Sequence, residues 1–127
     1  MKNGISRFVS EKNLSYGYDD AGCITVGLDT QTAFWQPHRF VTGQNIQIIT
    51  GDTLNKYTAQ FVIPLLRNQM RVRFNWGGNG ATLSRMKAAF GLMLPVTDRG
   101  EPDFNYMEQY IKNLMLQKYK QYLSFLD

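Results

Sequence analysis

Apolar and polar positions follow two rhythms along this chain, one of short alternating bursts and one of steps of three and four. The bursts come first. Residues 5–9 alternate loosely and predict a strand close to the first residue, while 23–26 is β-branched and compact and predicts a second. Residues 33–35 predict a third strand ending at Gln36-Pro37, Phe40-Val41 is short, and 45–50 predicts a further strand. After Gly51-Asp52-Thr53 the spacing turns helical through Leu54, Tyr57, Phe61, Val62, Leu65 and Leu66, with Asn55 as the N-cap. Pro64 sits inside that pattern, which predicts a kink or break near Ile63. Residues 70–74 alternate again and read as a half-buried strand with Arg71 and Arg73 on its outer face. A glycine-rich stretch comes next at 75–80, and Thr82 caps a predicted short helix through Leu83, Met86 and Ala89.

The last third organises the rest. Residues 92–96 read as a buried strand and 98–103 as a turn, because Gly100 and Pro102 bracket charged residues. From Phe104, the residues Met107, Ile111, Met115, Tyr119, Tyr122 and Leu126 recur at helical spacing, flanked by Leu114, Leu116 and Leu123. Pro102 and Asp103 suit the first turn, and Lys112, Lys118 and Lys120 lie towards the C-terminal end, as the helix dipole prefers. Such a helix is roughly 35 Å long at about 1.5 Å per residue. That is long for a domain of this size and predicts a helix that projects or packs on a partner. The whole pattern predicts an α+β class: a small mixed or antiparallel β-rich domain over 1–97 with two or three helices, then a turn and long helix over 98–127.

Composition narrows the function classes. A hydrophobic content of 43% across 127 residues supports one sizeable core and excludes general disorder. The net charge of +4 is compatible with nucleic acid without demanding it. Cys23, the only cysteine, excludes an internal disulfide and reads as a small buried hydrophobe beside Ile24 and Val26. No signal peptide is visible and no apolar run is long enough to span a bilayer, so the expected location is the cytoplasm.

Catalysis needs convergent groups, and few are available. His38 is the single histidine, so a histidine metal cluster is impossible, and its setting in Pro37-His38-Arg39-Phe40 reads as surface or turn. The acids Asp19, Asp20, Asp29, Asp52, Asp98, Glu101 and Asp103 fall in loop stretches without pair spacing. A small hydrolase or nucleotide-binding enzyme would rest only on His38 and the glycine stretch at 77–82. That stretch lacks the lysine and spacing of a nucleotide loop. Contact with nucleic-acid phosphate fits better, because Arg71 and Arg73 lead into it and Arg85 and Lys87 come after it. Trp76 could stack on a base or close the core. A solvated basic face beside a core aromatic accounts for the same residues.

The chain resembles a known family at Leu94-Pro95-Val96, Gly100-Glu101-Pro102-Asp103-Phe104 and Met107-Glu108-Gln109-Tyr110-Ile111-Lys112-Asn113-Leu114. These look like the strand, turn and helix that close the target-recognition domain of restriction–modification specificity subunits, of the type I and BcgI-like kind. Asn3-Gly4-Ile5, Ile24-Thr25-Val26, Phe34-Trp35-Gln36-Pro37, Leu54-Asn55-Lys56-Tyr57 and residues 74–77 match in the family's order. The resemblance implies a DNA-reading module without a cofactor, metal or catalysis of its own. Methyltransferase and nuclease partners would supply the chemistry. It also implies a homodimer, or pairing with another specificity half, to read two half-sites of double-stranded DNA.

Three departures accompany the resemblance. Relatives carry a substantial portion before the Asn-Gly-Ile segment, so the chain reads as a member lacking its N-terminal part. Gly78 and Asn79 stand where relatives carry basic residues, and Pro64 interrupts a helix that relatives keep continuous. The expected DNA contacts are Arg71, Arg73, Arg85, Lys87, Trp76, Asn79, Gln31 and Thr32. Met107, Ile111, Leu114, Met115, Tyr122 and Leu126 are the expected assembly face of the long helix. The alternative is a protein-interaction or dimerisation module that has lost independent DNA reading.

Overall fold

Ile24 and Val26 point to one side of a strand whose five residues are all buried, and the fold is built on that side. A computed structural model describes residues 17–43, 45–73 and 92–126. Strands β1 (Cys23–Gly27), β2 (Thr32–Gln36) and β3 (Ile46–Ile49) form an antiparallel sheet in the order β2-β1-β3. Ile24 stands opposite Trp35 on β2 and Ile49 on β3, so β-branched and aromatic side chains meet across both ladders. On the other side of β1, buried Thr25 accepts a hydrogen bond from Gln36 Nε2 at 3.0 Å. These three strands agree with the alternation in the sequence.

Helix α1 (Lys56–Arg73) packs across the sheet. Its row Ala59, Ile63, Leu66 and Met70, at steps of four, three and four, is buried against Ile24, Val26, Leu28 and Ala33. Each fully buried aliphatic side chain of this kind is worth roughly 1.5–3 kcal/mol. Asn55 starts the helix as expected, its Oδ1 accepting from the N–H groups of Tyr57 (2.8 Å) and Thr58 (3.0 Å). Thr58 Oγ1 accepts in return from the Asn55 N–H at 2.9 Å, closing a reciprocal capping box.

The structure departs from two expectations for this region. Of the kink or break expected near Ile63, the break is absent, and the helix runs on through Pro64 to Arg73. Pro64 is exposed, one position past the buried row, so the carbonyl it leaves without a donor lies on the solvent side. Met70 to Arg73 is helix and not strand, because Met70 continues the apolar row, and extending an existing helix is easier than nucleating a strand. Val72, inward-facing in the strand reading, is 71% exposed.

The segment 92–96 is also no strand. Leu92 touches the core, but Met93 is 92% exposed and Val96 61%, and a single bridge links Val96 to Pro102. Instead the chain folds back on itself. Thr97 N–H donates to Glu101 O at 2.7 Å and Asp103 N–H to Pro95 O at 2.8 Å around the expected turn, with Gly100 at φ 80°. Helix α2 (Phe104–Leu126) comes next, with Asp103 outside it as the cap and its Oδ1 accepting from Tyr106 N–H at 3.0 Å. Pro102 precedes the helix, and the last turn carries no basic residue, so the lysines lie too far back to meet the C-terminal carbonyls. The predicted strand at 5–9, the glycine stretch and the short helix near 83–89 lie outside the described residues.

Among the described residues, the first part of α2 is the anchored part. Met107 (0% exposed) and Ile111 (8%) are its buried residues, against α1. Phe61 meets Tyr110 edge to face at 5.6 Å. A polar link stands beside them. Asn55 Nδ2 donates to Glu108 Oε1 at 2.8 Å, Lys112 Nζ donates to Glu108 Oε2 at 3.2 Å, and Lys56 and Lys112 each lie 4.9 Å from the Tyr57 ring centre. The Lys112 and Asn55 hydrogen bonds hold the Glu108 carboxyl below the ordinary glutamate range.

Three outcomes are expected. Asn55→Ala removes the cap and the Glu108 bond, and chemical denaturation should show a loss of about 1–2 kcal/mol with an unchanged slope. Met107→Ala should cost about 2–4 kcal/mol in the same assay, while Phe125→Ala, at a site 86% exposed, should leave the midpoint in place. Glu108 stays ionised to lower pH in the folded chain than in the unfolded one. Its contribution is therefore complete above the ordinary glutamate value and fades as pH falls through the lowered one. Glu108→Gln should flatten that part of the pH–stability curve, and high salt should shrink the difference.

Candidate nucleic-acid interface

The β1–β2 turn is held by short polar side chains. Gly27 ends β1, where an added Cβ would sit 2.5 Å from Thr30 Oγ1 and 2.7 Å from Thr32 Oγ1. Those two hydroxyls are 2.8 Å apart and hydrogen-bonded. Gln31 takes φ 55° and Asn45 φ 61°, left-handed conformations that turn the chain sharply. Asn45 Nδ2 donates to Asp29 Oδ2 at 2.8 Å, and Leu28 N–H donates to Asn45 O at 3.1 Å, so the approach to β3 braces the same turn. Gln31 and Thr32 are both half-buried there, on a turn held from two sides.

Arg67 connects α1 to that region. Its Nε and Nη2 donate to Ala33 O at 3.1 and 2.6 Å, and its guanidinium lies 5.1 Å from the Phe34 ring centre. Ala33 is the neighbour of Thr32 on β2, and α1 runs from the end of the sheet near Ile49 towards it. One turn beyond Arg67 is Arg71, exposed, with Nη2 donating to Asn68 Oδ1 at 2.8 Å. Arg71 and the Gln31–Thr32 turn therefore lie at the same end of the sheet. Arg73 is the last residue of α1 and so belongs to a helix rather than to the outer face of a strand. Arg85, Lys87, Trp76 and Asn79 lie outside the described residues.

The opposite end of the sheet carries a second exposed group. The Arg39 guanidinium lies 4.3 Å from the Tyr18 ring centre, and the Asp19–Phe40 bridge, with N–H to O distances of 2.7 and 3.1 Å, holds both beside exposed His38. Cys23 is buried, as expected, and its thiol is pushed up chiefly by that burial and secondarily by Asp19. Among the described residues no three His, Cys, Asp or Glu side chains could hold a metal ion, and no helix is long and apolar enough to cross a membrane.

The expected assembly face divides. Met107 and Ile111 are spent on α1, whereas Leu114, Met115, Tyr122 and Leu126 are exposed. Gln60 of α1 with Ile111, Leu114, Met115, Lys118, Tyr119 and Tyr122 of α2 lines an open groove of about 520 Å³. Sequence reading missed Arg67, because its partner Ala33 is 34 residues away and leaves no local signal. It also missed Thr58, although the Asn55-x-x-Thr58 spacing carries a capping-box signature.

Comparison with protein families gives a match to the type I restriction modification DNA specificity domain over residues 2–122. No curated protein and no solved structure matches the chain. The match covers nearly the whole sequence, and the chain belongs to that family.

Proposed function

We propose that this member of the type I restriction–modification DNA specificity family reads a DNA sequence and directs methyltransferase and nuclease partners to it. The observation that carries the reading is the family match over residues 2–122. On this reading residues 1–97 form the recognition module, 98–127 the turn and assembly helix, and catalysis resides in the partners. One module reads one half-site, and pairing with a second specificity half supplies the other.

Within the described residues, the end of the sheet bearing Arg71 and the Gln31–Thr32 turn is the proposed DNA-facing end. A guanidinium there can bind a phosphate or the O6/N7 edge of guanine, and the amide of Gln31 can bind adenine. Arg67 is a positioning residue, since its guanidinium is already committed to Ala33 O. Arg73, Arg85, Lys87, Trp76 and Asn79 complete the proposed set from the sequence. A second reading, an assembly module without DNA reading, draws its support from the exposed apolar length of α2.

Selection from a pool of random duplexes at moderate salt, with the chain alone and with its methyltransferase subunit, separates the two. Enrichment of one short half-site is expected, and a pool that stays random in both arms sinks the DNA-reading proposal. Arg71→Ala should weaken binding to the selected duplex. If Arg71 binds phosphate, the salt slope should fall by about one and the loss should be equal across sequences. If it reads a base, specificity should relax at one position, at a cost of about 1–3 kcal/mol.

A further inference from the structure

The apolar contact between α2 and α1 is short for the length of helix it has to hold. Met107 and Ile111, the buried residues of α2, are one turn apart and span about 6 Å of its axis. From Ile111 to Leu126 the helix continues for roughly 22 Å at about 1.5 Å per residue. Ridges packed into grooves fix a crossing angle only to within about 15–20°, and a tilt of about 15° over that lever carries the far end about 6 Å. Two side chains in one row leave the direction of α2 open by that much.

Two further contacts stand on either side of that row. At about 100° per residue, Glu108 and Tyr110 lie roughly 80° to opposite sides of the line through Met107 and Ile111. On the Tyr110 side the contact is an edge-to-face pair with Phe61 at 5.6 Å, which tolerates a broad range of geometries. On the Glu108 side it is directional, with Asn55 Nδ2 donating to Glu108 Oε1 at 2.8 Å. The donating amide is itself fixed. Its Oδ1 accepts from the N–H groups of Tyr57 and Thr58, and an amide is planar, so the cap of α1 decides where Nδ2 points. Lys112 holds the other carboxylate oxygen at 3.2 Å. One bond thus ties the first turn of α1 to the base of α2, to one side of the row about which α2 would tilt.

We infer that the Asn55–Glu108 hydrogen bond is an angle lock, with Asn55 and Glu108 as positioning residues that set the direction in which the far turns of α2 leave the sheet and α1. Helix α1 then relates two places. Its N-cap orients α2, and its C-terminal turns carry Arg71 and the Arg67 that is bonded to Ala33 O on β2. Asparagine suits this double use. Aspartate caps a helix about as well, but it has no donor to offer a carboxylate. The inference concerns geometry within one copy of the free chain, so it goes beyond the DNA-reading proposal and does not depend on it.

Distances between two spin labels on the full chain test it. The labels go on β3 through Ile48→Cys and on the far part of α2 through Gln121→Cys, both exposed, in a Cys23→Ala background. The reference protein should give one narrow distance distribution. Asn55→Asp keeps the cap but sets a carboxylate against Glu108, and Glu108→Ala removes the acceptor; each should widen the distribution at least about twofold. Glu108→Gln keeps an acceptor oxygen and should stay near the reference width. Combining Asn55→Asp with Glu108→Gln exchanges donor and acceptor and should bring the width back. Circular dichroism should show the same helix content throughout, so that a wider distribution reports direction rather than folding. Equal widths across the set overturn the inference. So does a double variant as broad as Asn55→Asp alone, because a bond that only added stability would give that result. A chain that shows the lock while a pool of random duplexes stays random would instead sink the DNA-reading proposal and leave this one standing.

Discussion

Ala59, Ile63, Leu66 and Met70 form one row along α1, and their burial on Ile24 and Val26 sets the place of every other described element. The row settles which side of the sheet is covered and carries α1 past a proline. It also brings Arg67 to the edge of β2, where an unpaired carbonyl would otherwise be open to another strand. On its other flank α1 receives Met107 and Ile111, so among the described residues α1 is the main support of α2. A weakness in the row would loosen the sheet and the long helix together.

Helix α2 shows how one apolar pattern divides between two uses. Its first turns are fixed by an aspartate cap, two buried side chains, a ring contact and the Glu108 link to Asn55. Beyond Ile111 the same periodicity continues with nothing from α1 against most of it.

For function, the family supplies the class of task and the fold supplies an arrangement. The β1–β2 turn is stiffened by hydroxyl and amide bonds, and the C-terminal turns of α1 lie beside it. The proposed reading surface therefore sits on braced elements, which would limit the conformational entropy lost on binding. The proposed assembly face is on α2, away from that end of the sheet, so the two proposed tasks need not compete for surface.

Much of this was legible in the residues. Alternation gave β1, β2 and β3, Asn55 gave the start of α1, and the stripe from Phe104 gave α2, because periodicity and caps act within a few residues of themselves. The ordered short motifs gave the family. Local reading could not tell that Met70 continues a helix, since a residue at the end of one apolar period can open another. It could not tell that 92–96 would find no strand to pair with, or that Pro64 would face solvent. The contacts that decided these points span long separations, 34 residues from Arg67 to Ala33 and 53 from Asn55 to Glu108. The sequence by itself determined the periods, the caps and the surplus of lysine on α2. Only the tertiary structure decided where each helix ends and which half of the long stripe is buried, because burial depends on what the rest of the chain brings against it.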